Sequence, residues 1–494
     1  MDQKQVINGR QYAWLTAAVL TGGALTSLNQ ILIRLGRMDA WGSFALASGY
    51  ALLLAYVFYQ LARRFPGKHL FEITKLLFGT LLGTLANLLM LFHMWAMLIR
   101  DLRSLSKFVG VALLPSTPDE IIVMLLVLVI MYYGKTSVEV VARVNDFFFP
   151  FFILMILLLP VLLTNEINKT LLMPALSVPL KPLFFSNMIS LGWFGDLFVL
   201  GAFLHTLQAS RQLRSAIRHG ALLGSLLIGI FILLELLVLG PVIPGNLVFG
   251  NYSVVQQIHI TDFLDRIDLM IISIWFPVAT CEIVAVYLAF LTGIASLVKQ
   301  RDYSTINTPA ALLLMLSSLL AFKSATEIFS FANYGYPLMV VAYQPLLFLL
   351  IWLFSLRHPV RIPQGRGSTA SASKERPSGS KDRSEDQPDT MADQPSSSEG
   401  QQHKQGPAQR NRTHANRGKR NPAPGFLQRL SYQAWRRSSN VLIVLNISWL
   451  AIGLWFSKQY PVLGITCGSA YGVCTILVVL TSYMELFHAK QVPQ

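Results

Sequence analysis

Charge is what this sequence has least of: Asp, Glu, Lys and Arg together supply 13% of its 494 residues, against 53% for the hydrophobic types. That shortage excludes a soluble helical protein, which needs polar faces to turn toward water. Cysteine is nearly missing as well. Cys281, Cys467 and Cys474 lie inside apolar stretches, at spacings that suit neither a zinc site nor a disulfide framework, so they read as small buried residues. Nor is there a phosphate-binding glycine loop, a metal-ligand cluster or a nucleophile elbow. Neither an enzyme nor a cofactor is expected. A cleavable leader is not expected either, because MDQKQVINGR is polar and the apolar run behind it outlasts signal-peptide length.

What the chain does have is apolar runs long enough to cross a bilayer core of about 30 Å, which takes about 20 helical residues. Ten precede residue 357, at about 11–34, 40–62, 79–101 (or on to 112), 119–134, 147–164, 187–208, 219–241, 269–298, 307–322 and 329–356. Two more follow a polar stretch, at 439–457 and 461–487, making twelve. The expected fold class is an all-α integral membrane protein. Its parts are an amino terminus at 1–10, a ten-helix core at 11–356, a linker at 357–425 and a helical tail at 426–494.

Lys and Arg in the short loops set a direction. Thirteen, from Lys4 and Arg10 through Arg63, Arg64, Lys135 and Arg214 to Arg301, fall on the side of the amino terminus. Nine fall on the other side or just after the third run, among them Arg100, Arg103 and Lys107. Both termini are expected in the cytoplasm. The stretch Pro359 to Gly425 has no Phe, Tyr or Trp, so it buries too little to offset its ordering entropy and is expected to be disordered. Residues 357–437 carry 16 basic and 7 acidic side chains, which is +9 of the chain's +15. A basic segment beside a membrane attracts anionic lipid; nucleic acid is not expected as a partner. FLQRLSYQAWRR, 426–437, mixes aromatic and basic residues and reads as a short interfacial helix.

Function is sought in weak points and buried acids. LTGGALTS in the first run holds Thr21, Gly22, Gly23 and Thr26, and GWFGD in the sixth holds Gly192, Phe194, Gly195 and Asp196. Each glycine costs a helix interior roughly 1 kcal/mol relative to alanine. One such site alone suits close helix packing as well as anything else. Two, in the first helix of each five-helix half, suit a pair of unwound segments facing each other at the midplane. An unwound segment offers free N–H groups to a carboxylate and free carbonyls to an ammonium, so a zwitterionic amino acid fits. Asp196 and Glu282 sit near the midplane of their spans, where an ionised carboxylate costs about 2.5–3.5 kcal/mol unless paired or hydrated. Thr280, beside Glu282, joins the candidate ligand-binding set, and Glu235 ranks behind it. His93 and His205 read as side chains satisfied by neighbouring helices.

Several stretches also resemble the B subunits of nutrient germinant receptors in endospore-forming bacteria. LTGGALTSLNQILIRLGRMDAW carries that family's glycine break, then Gly36 and Asp39-Ala40-Trp41. GKTSVEVVARVNDFFFP (134–150), GWFGD and ITDFLDRIDLMIISIWFPVATCEIVAVYLAF (260–290) follow in the family's order. The resemblance implies a five-plus-five inverted repeat of the amino acid, polyamine and organocation transporter type. It also implies a nutrient ligand, often an amino acid, and the paired glycine motifs place that ligand between spans one and six with help from three and eight. The implied partners are a receptor A subunit and a lipoprotein C subunit, in the inner membrane of the spore. Two features depart from the family: Leu28 stands where it commonly has proline, and the tail matches in size the small two-helix D subunits that accompany some receptors. A proton-coupled amino acid or polyamine transporter, working through Asp196 or Glu282, is the alternative function. A scaffold that only assembles the complex is a third.

Overall fold

The computed structural model describes residues 6–207, 209–258, 267–300, 302–359 and 431–489, and all regular structure among them is helical. The core runs α1 (Gly9–Gly36), α2 (Ala45–Arg64), α3 (Leu70–Ala112), α4 (Asp119–Tyr133), α5 (Val138–Leu162), α6 (Leu180–Phe194), α7 (Ser210–Leu239), α8 (Gly250–Val255), α9 (Ile267–Leu297), α10 (Ser304–Ala321), α11 (Ala325–Ser330) and α12 (Tyr336–Ser355). The tail adds α13 (Tyr432–Phe456) and α14 (Pro461–Ala489). Every expected run is helical, and among the described residues eleven helices are long and apolar enough to cross a membrane. The exception is α4: its 15 residues reach only about 22 Å at 1.5 Å per residue, between Pro118 and Gly134.

Several helices start earlier than hydropathy suggests. α5 begins at Val138 rather than 147, α7 at Ser210 rather than 219, and α13 at Tyr432 rather than 439. Their first turns carry charge (Glu139 and Arg143, Arg211 and Arg214, Arg436 and Arg437), which lowers hydropathy without breaking the backbone ladder. Arg143 even pairs with Glu139 one turn away at 2.5 Å. The same holds for FLQRLSYQAWRR. Its described part is no separate interfacial helix, since Ser431 caps α13 by accepting from the Ala434 N–H, and Tyr432 and Trp435 are buried. Residues 426–430 and the basic linker from 360 on lie outside the described residues.

α3 corrects the charge count. Its 43 residues run through 100–107 without leaving the helix, broken only at Gly79 by a φ of 79° that favours glycine. Arg100 and Arg103 are therefore buried helix residues, not loop charges.

α1 forms the centre, with 94% of its apolar window buried, against α5, α6, α7 and α9. A helix apolar all round has nowhere else to go. Behind it, α7 carries Gly220 and Gly224 on the face toward Ala13–Leu20, where a Cβ at Gly224 would stand 3.1 Å from Leu20 Cδ1.

The tail helices dock on the far side of α7. Arg218 Nη1 lies 3.3 Å from Glu485 Oε2, both buried. Around that pair Arg218 donates to Ser439 Oγ at 2.5 Å, Ser215 to Glu485 at 3.2 Å, and His219 Nδ1 lies 2.9 Å from Ser482 Oγ. Toward the other end of the hairpin, Asp39 accepts the N–H groups of Leu176 at 2.5 Å and Val178 at 2.9 Å. That holds Leu176 at a φ of 56°, unusual for a branched residue, with its side chain packed against Gly453 and Cys467. Ser457 donates to the Leu176 carbonyl, and Trp41 packs on Tyr471 with ring centres 5.2 Å apart. The Asp39-Ala40-Trp41 stretch thus builds the loop that seats the tail. Glu485→Ala, which leaves Arg218 buried without its carboxylate, is expected to destabilise the detergent-solubilised protein by about 3–5 kcal/mol. Thermal unfolding followed through the tail helices would show it, and an unchanged transition would mean the pair holds nothing.

Candidate ligand site and its ion network

Arg100 sits on α3 with no exposure at all, so its charge must be met by neighbours. It grips Asp101 through two contacts, Nε to Oδ1 at 2.7 Å and Nη2 to Oδ2 at 3.0 Å, and reaches Asp196 Oδ2 at 2.9 Å. Its Cζ lies 3.9 Å from the Trp193 ring centre and 4.1 Å from that of Tyr336, a cation–π setting on two sides. The Tyr336 hydroxyl donates to Asp196 and lies 2.6 Å from His93 Nε2, while His93 Nδ1 meets the Tyr343 hydroxyl. The network therefore ties α3 to α6 and α12.

The glycines of α1 face the other side of Asp101. A Cβ at Gly23 would stand 2.8 Å from Asp101 Oδ1, and one at Gly22 would collide with the Glu282 carboxylate and stand 3.1 Å from Ala279 Cα. Glu282, on α9, is 1% exposed. Among the described residues no side chain bonds either of its oxygens, and its polar neighbour is the Gly23 backbone. Gly22, Gly23, Thr26, Asp101 and Glu282 line a cavity of about 10 Å³. Thr26 also lines an apolar cleft of about 50 Å³, walled by Phe108, Phe249, Ile271 and Trp275 among others.

The expected site residues thus divide. Thr26, Gly22, Gly23 and Glu282 come together, while Asp196 belongs to the adjoining Arg100 network. Thr21 donates to Ala17 O at 3.0 Å and Thr280 to Phe276 O at 2.9 Å, each within its own helix. Gly192 and Gly195 face α12, where added Cβ atoms would strike Pro337 and Val340. Phe194 packs on Phe44 with ring centres 6.0 Å apart. Glu235 forms a separate cluster, accepting from Asn29 at 2.8 Å. His93 lies in the network, but His205 is exposed beside His69, not held among neighbouring helices. Cys281 and Cys467 are buried and Cys474 is half-buried.

The expected break in α1 is absent. The helix is unbroken from Gly9 to Gly36, through Leu28, and Thr26 donates to Gly23 O at 2.6 Å. The missing side chains serve instead to let two carboxylates approach the backbone. In α6 the expectation fares differently, since the α-helix ends at Phe194 and the chain goes on as a 3-10 helix over Gly195–Thr206. Gln344 Nε2 reaches the Gly195 carbonyl there at 3.0 Å. The sequence alone does not single out Arg100, Asp101 or Tyr336 as site residues. The one signal for the first two is an Arg-Asp pair inside a run that could extend to 112.

The model of the spore germination protein family matches residues 6–326. The Bacillus subtilis (strain 168) protein YfkT, named as a spore germination protein, is 27% identical over 326 residues, covering 65% of this chain and 88% of its own. Spore germination protein KB of the same organism is 22% identical over 356 residues, covering 69% and 94%. Among solved structures, Mhp1, a nucleobase-cation-symport-1 family transporter in a closed conformation with bromovinylhydantoin bound, superposes with a TM-score of 0.52. The match covers 70% of this chain and 78% of that one at 15% identity. The fold is thus a transporter-like inverted-repeat core with two added helices.

Removing Arg100 and removing the Tyr336 hydroxyl should differ in a graded way. Arg100→Ala leaves two carboxylates buried without their cation and is expected to cost about 3–5 kcal/mol. Tyr336→Phe removes one hydroxyl and is expected to cost about 1–3 kcal/mol. Thermal melts of the purified variants check the order, and equal losses would contradict the geometry.

Proposed function

The chain belongs to the spore germination protein family, and from that membership we propose that it is the ligand-sensing membrane subunit of a nutrient germinant receptor. The observation that carries the reading is the glycine face of α1, met by two buried carboxylates at a cavity that shares Thr26 with an apolar cleft. A small nutrient with an ammonium group, amino acids included, would be seated among α1, α3 and α9, rather than at the α1–α6 crossing suggested by the paired glycine motifs. Ligand would bind one arrangement of these helices more tightly than another and shift the population. Differential contacts with partner subunits would carry the shift outward. The partners in this reading are a receptor A subunit and a lipoprotein C subunit in the spore's inner membrane, with both termini of this chain cytoplasmic.

The tail is proposed to be a fused D-type subunit. Its buried contacts with α7 and with the loop at Leu176 support that assignment, since a merely peripheral pair of helices needs no buried ion pair. A tail on the same polypeptide meets the core as an intramolecular partner, at an effective concentration that a free subunit does not have.

Proton-coupled transport is the second reading, and the specific observation in its favour is a buried run of three carboxylates, two of them paired with one guanidinium and the third, Glu282, lining a cavity with Asp101. Uptake of a labelled amino acid or polyamine into proteoliposomes, abolished by Glu282→Gln, would support transport over sensing.

Two outcomes are expected of the sensing reading. Gly23→Leu, by filling the cavity beside Asp101, should raise the nutrient concentration needed for half-maximal germination by about tenfold or more, equivalent to ~1.4 kcal/mol of binding. An unchanged response in a stably expressed variant would put the site elsewhere. Separately expressed pieces 1–360 and 425–494 should associate and jointly restore germination; failure of both would end the fused-subunit assignment.

A further inference from the structure

The ligand site has a charge balance that narrows what it can take. Among the described residues Arg100 is the one cation in contact with the cluster, and its hydrogen bonds go to Asp101 and Asp196. Asp196 has the Tyr336 hydroxyl as well. Glu282 makes no ion pair or side-chain hydrogen bond among the described residues, though it is 1% exposed and lines the small cavity. At about 10 Å³ that cavity is close to the size of one water molecule, and so of one ammonium group.

The adjoining cleft has an opposite character. Its walls are aromatic and aliphatic, and among the described residues neither it nor the small cavity is lined by Lys, Arg or His. Its polar groups are engaged: Thr26 donates to Gly23 O at 2.6 Å, Asn251 to Leu25 O at 2.6 Å, and Tyr252 to Asp268 at 2.9 Å. The indole Nε1 of Trp275 is the buried donor there without a partner. Because α1 is an unbroken helix, its N–H groups are committed to the backbone ladder and no half-helix amino end faces the cavity.

From this geometry we propose that the site takes a monoamine with an apolar body. The ammonium group lies between Glu282 and Asp101 against Gly22 and Gly23, and the body fills the aromatic cleft. A carboxylate on the same ligand would enter a space holding two carboxylates and aromatic walls, with one neutral N–H among the described residues to receive it. Aromatic faces suit both the apolar body and its cationic end. This class rests on the proposed seat among α1, α3 and α9.

The test uses three probes of matched shape on the purified full-length protein in detergent: isoamylamine, L-leucine and isocaproate. Thermal shift and titration calorimetry are expected to rank the amine at least about tenfold tighter than leucine, with no binding of the acid. Glu282→Gln should weaken amine binding about tenfold or more, and Glu282→Asp should restore part of it. If Glu282→Gln does not fold, the wild-type ranking still decides. Leucine binding more tightly than isoamylamine overturns the amine class while leaving the seat in place. Amine binding that Glu282→Gln leaves intact overturns the role of Glu282. Absence of binding by all three probes overturns the proposal, and the Gly23→Leu germination response then judges the seat by itself.

Discussion

A guanidinium shut off from water has to be neutralised within hydrogen-bond reach, and much of this fold is arranged around that demand at Arg100. Asp101 comes from the same helix and Asp196 from the chain just past the end of α6. Trp193 and Tyr336 cover the guanidinium. Because the partners lie on different helices, α3, α6 and α12 cannot move apart without stranding a charge in a medium of low dielectric. The cluster thus behaves as a joint whose geometry is fixed by electrostatics, set beside a cavity where Glu282 has no side-chain hydrogen bond among the described residues.

Side-chain size does the rest on α1. A residue larger than glycine at positions 22 or 23 would close the space that Glu282 and Asp101 enter. The helix keeps its backbone hydrogen bonds and gives up side chains instead. Packing here makes room for polar groups, whereas the glycines of α6 make room for Pro337 and Val340 of α12. Similar composition has two uses, and only the opposing helix distinguishes them.

That contrast explains what could be read from the chain alone. Burial in lipid is a local property, so hydropathy located the helices, and it missed helix starts only where charged first turns depress it, as in α5 and α7. Gly22, Gly23 and Glu282 were legible as unusual residues because any bilayer exacts a cost for them. Their assembly was not, since it depends on which faces of α1, α3 and α9 meet. Arg100 shows the limit best: at the edge of the apolar window it looks like a loop charge, and only the approach of Asp196, 96 positions away, makes it a core residue. The expected unwinding of α1 failed for a related reason, because glycine permits a break without requiring one.

The tail helices raise a matter of another kind. They are anchored to α7 through Arg218 and Glu485 and seated on the loop that Asp39 shapes, yet they belong to the same polypeptide as the core. An accessory subunit made from its own gene can fall behind in synthesis or be diluted in the membrane, leaving some cores bare. Here every core is born with its companion, so occupancy of that flank is independent of expression level, and a population of these molecules is uniform in composition from the moment of translation.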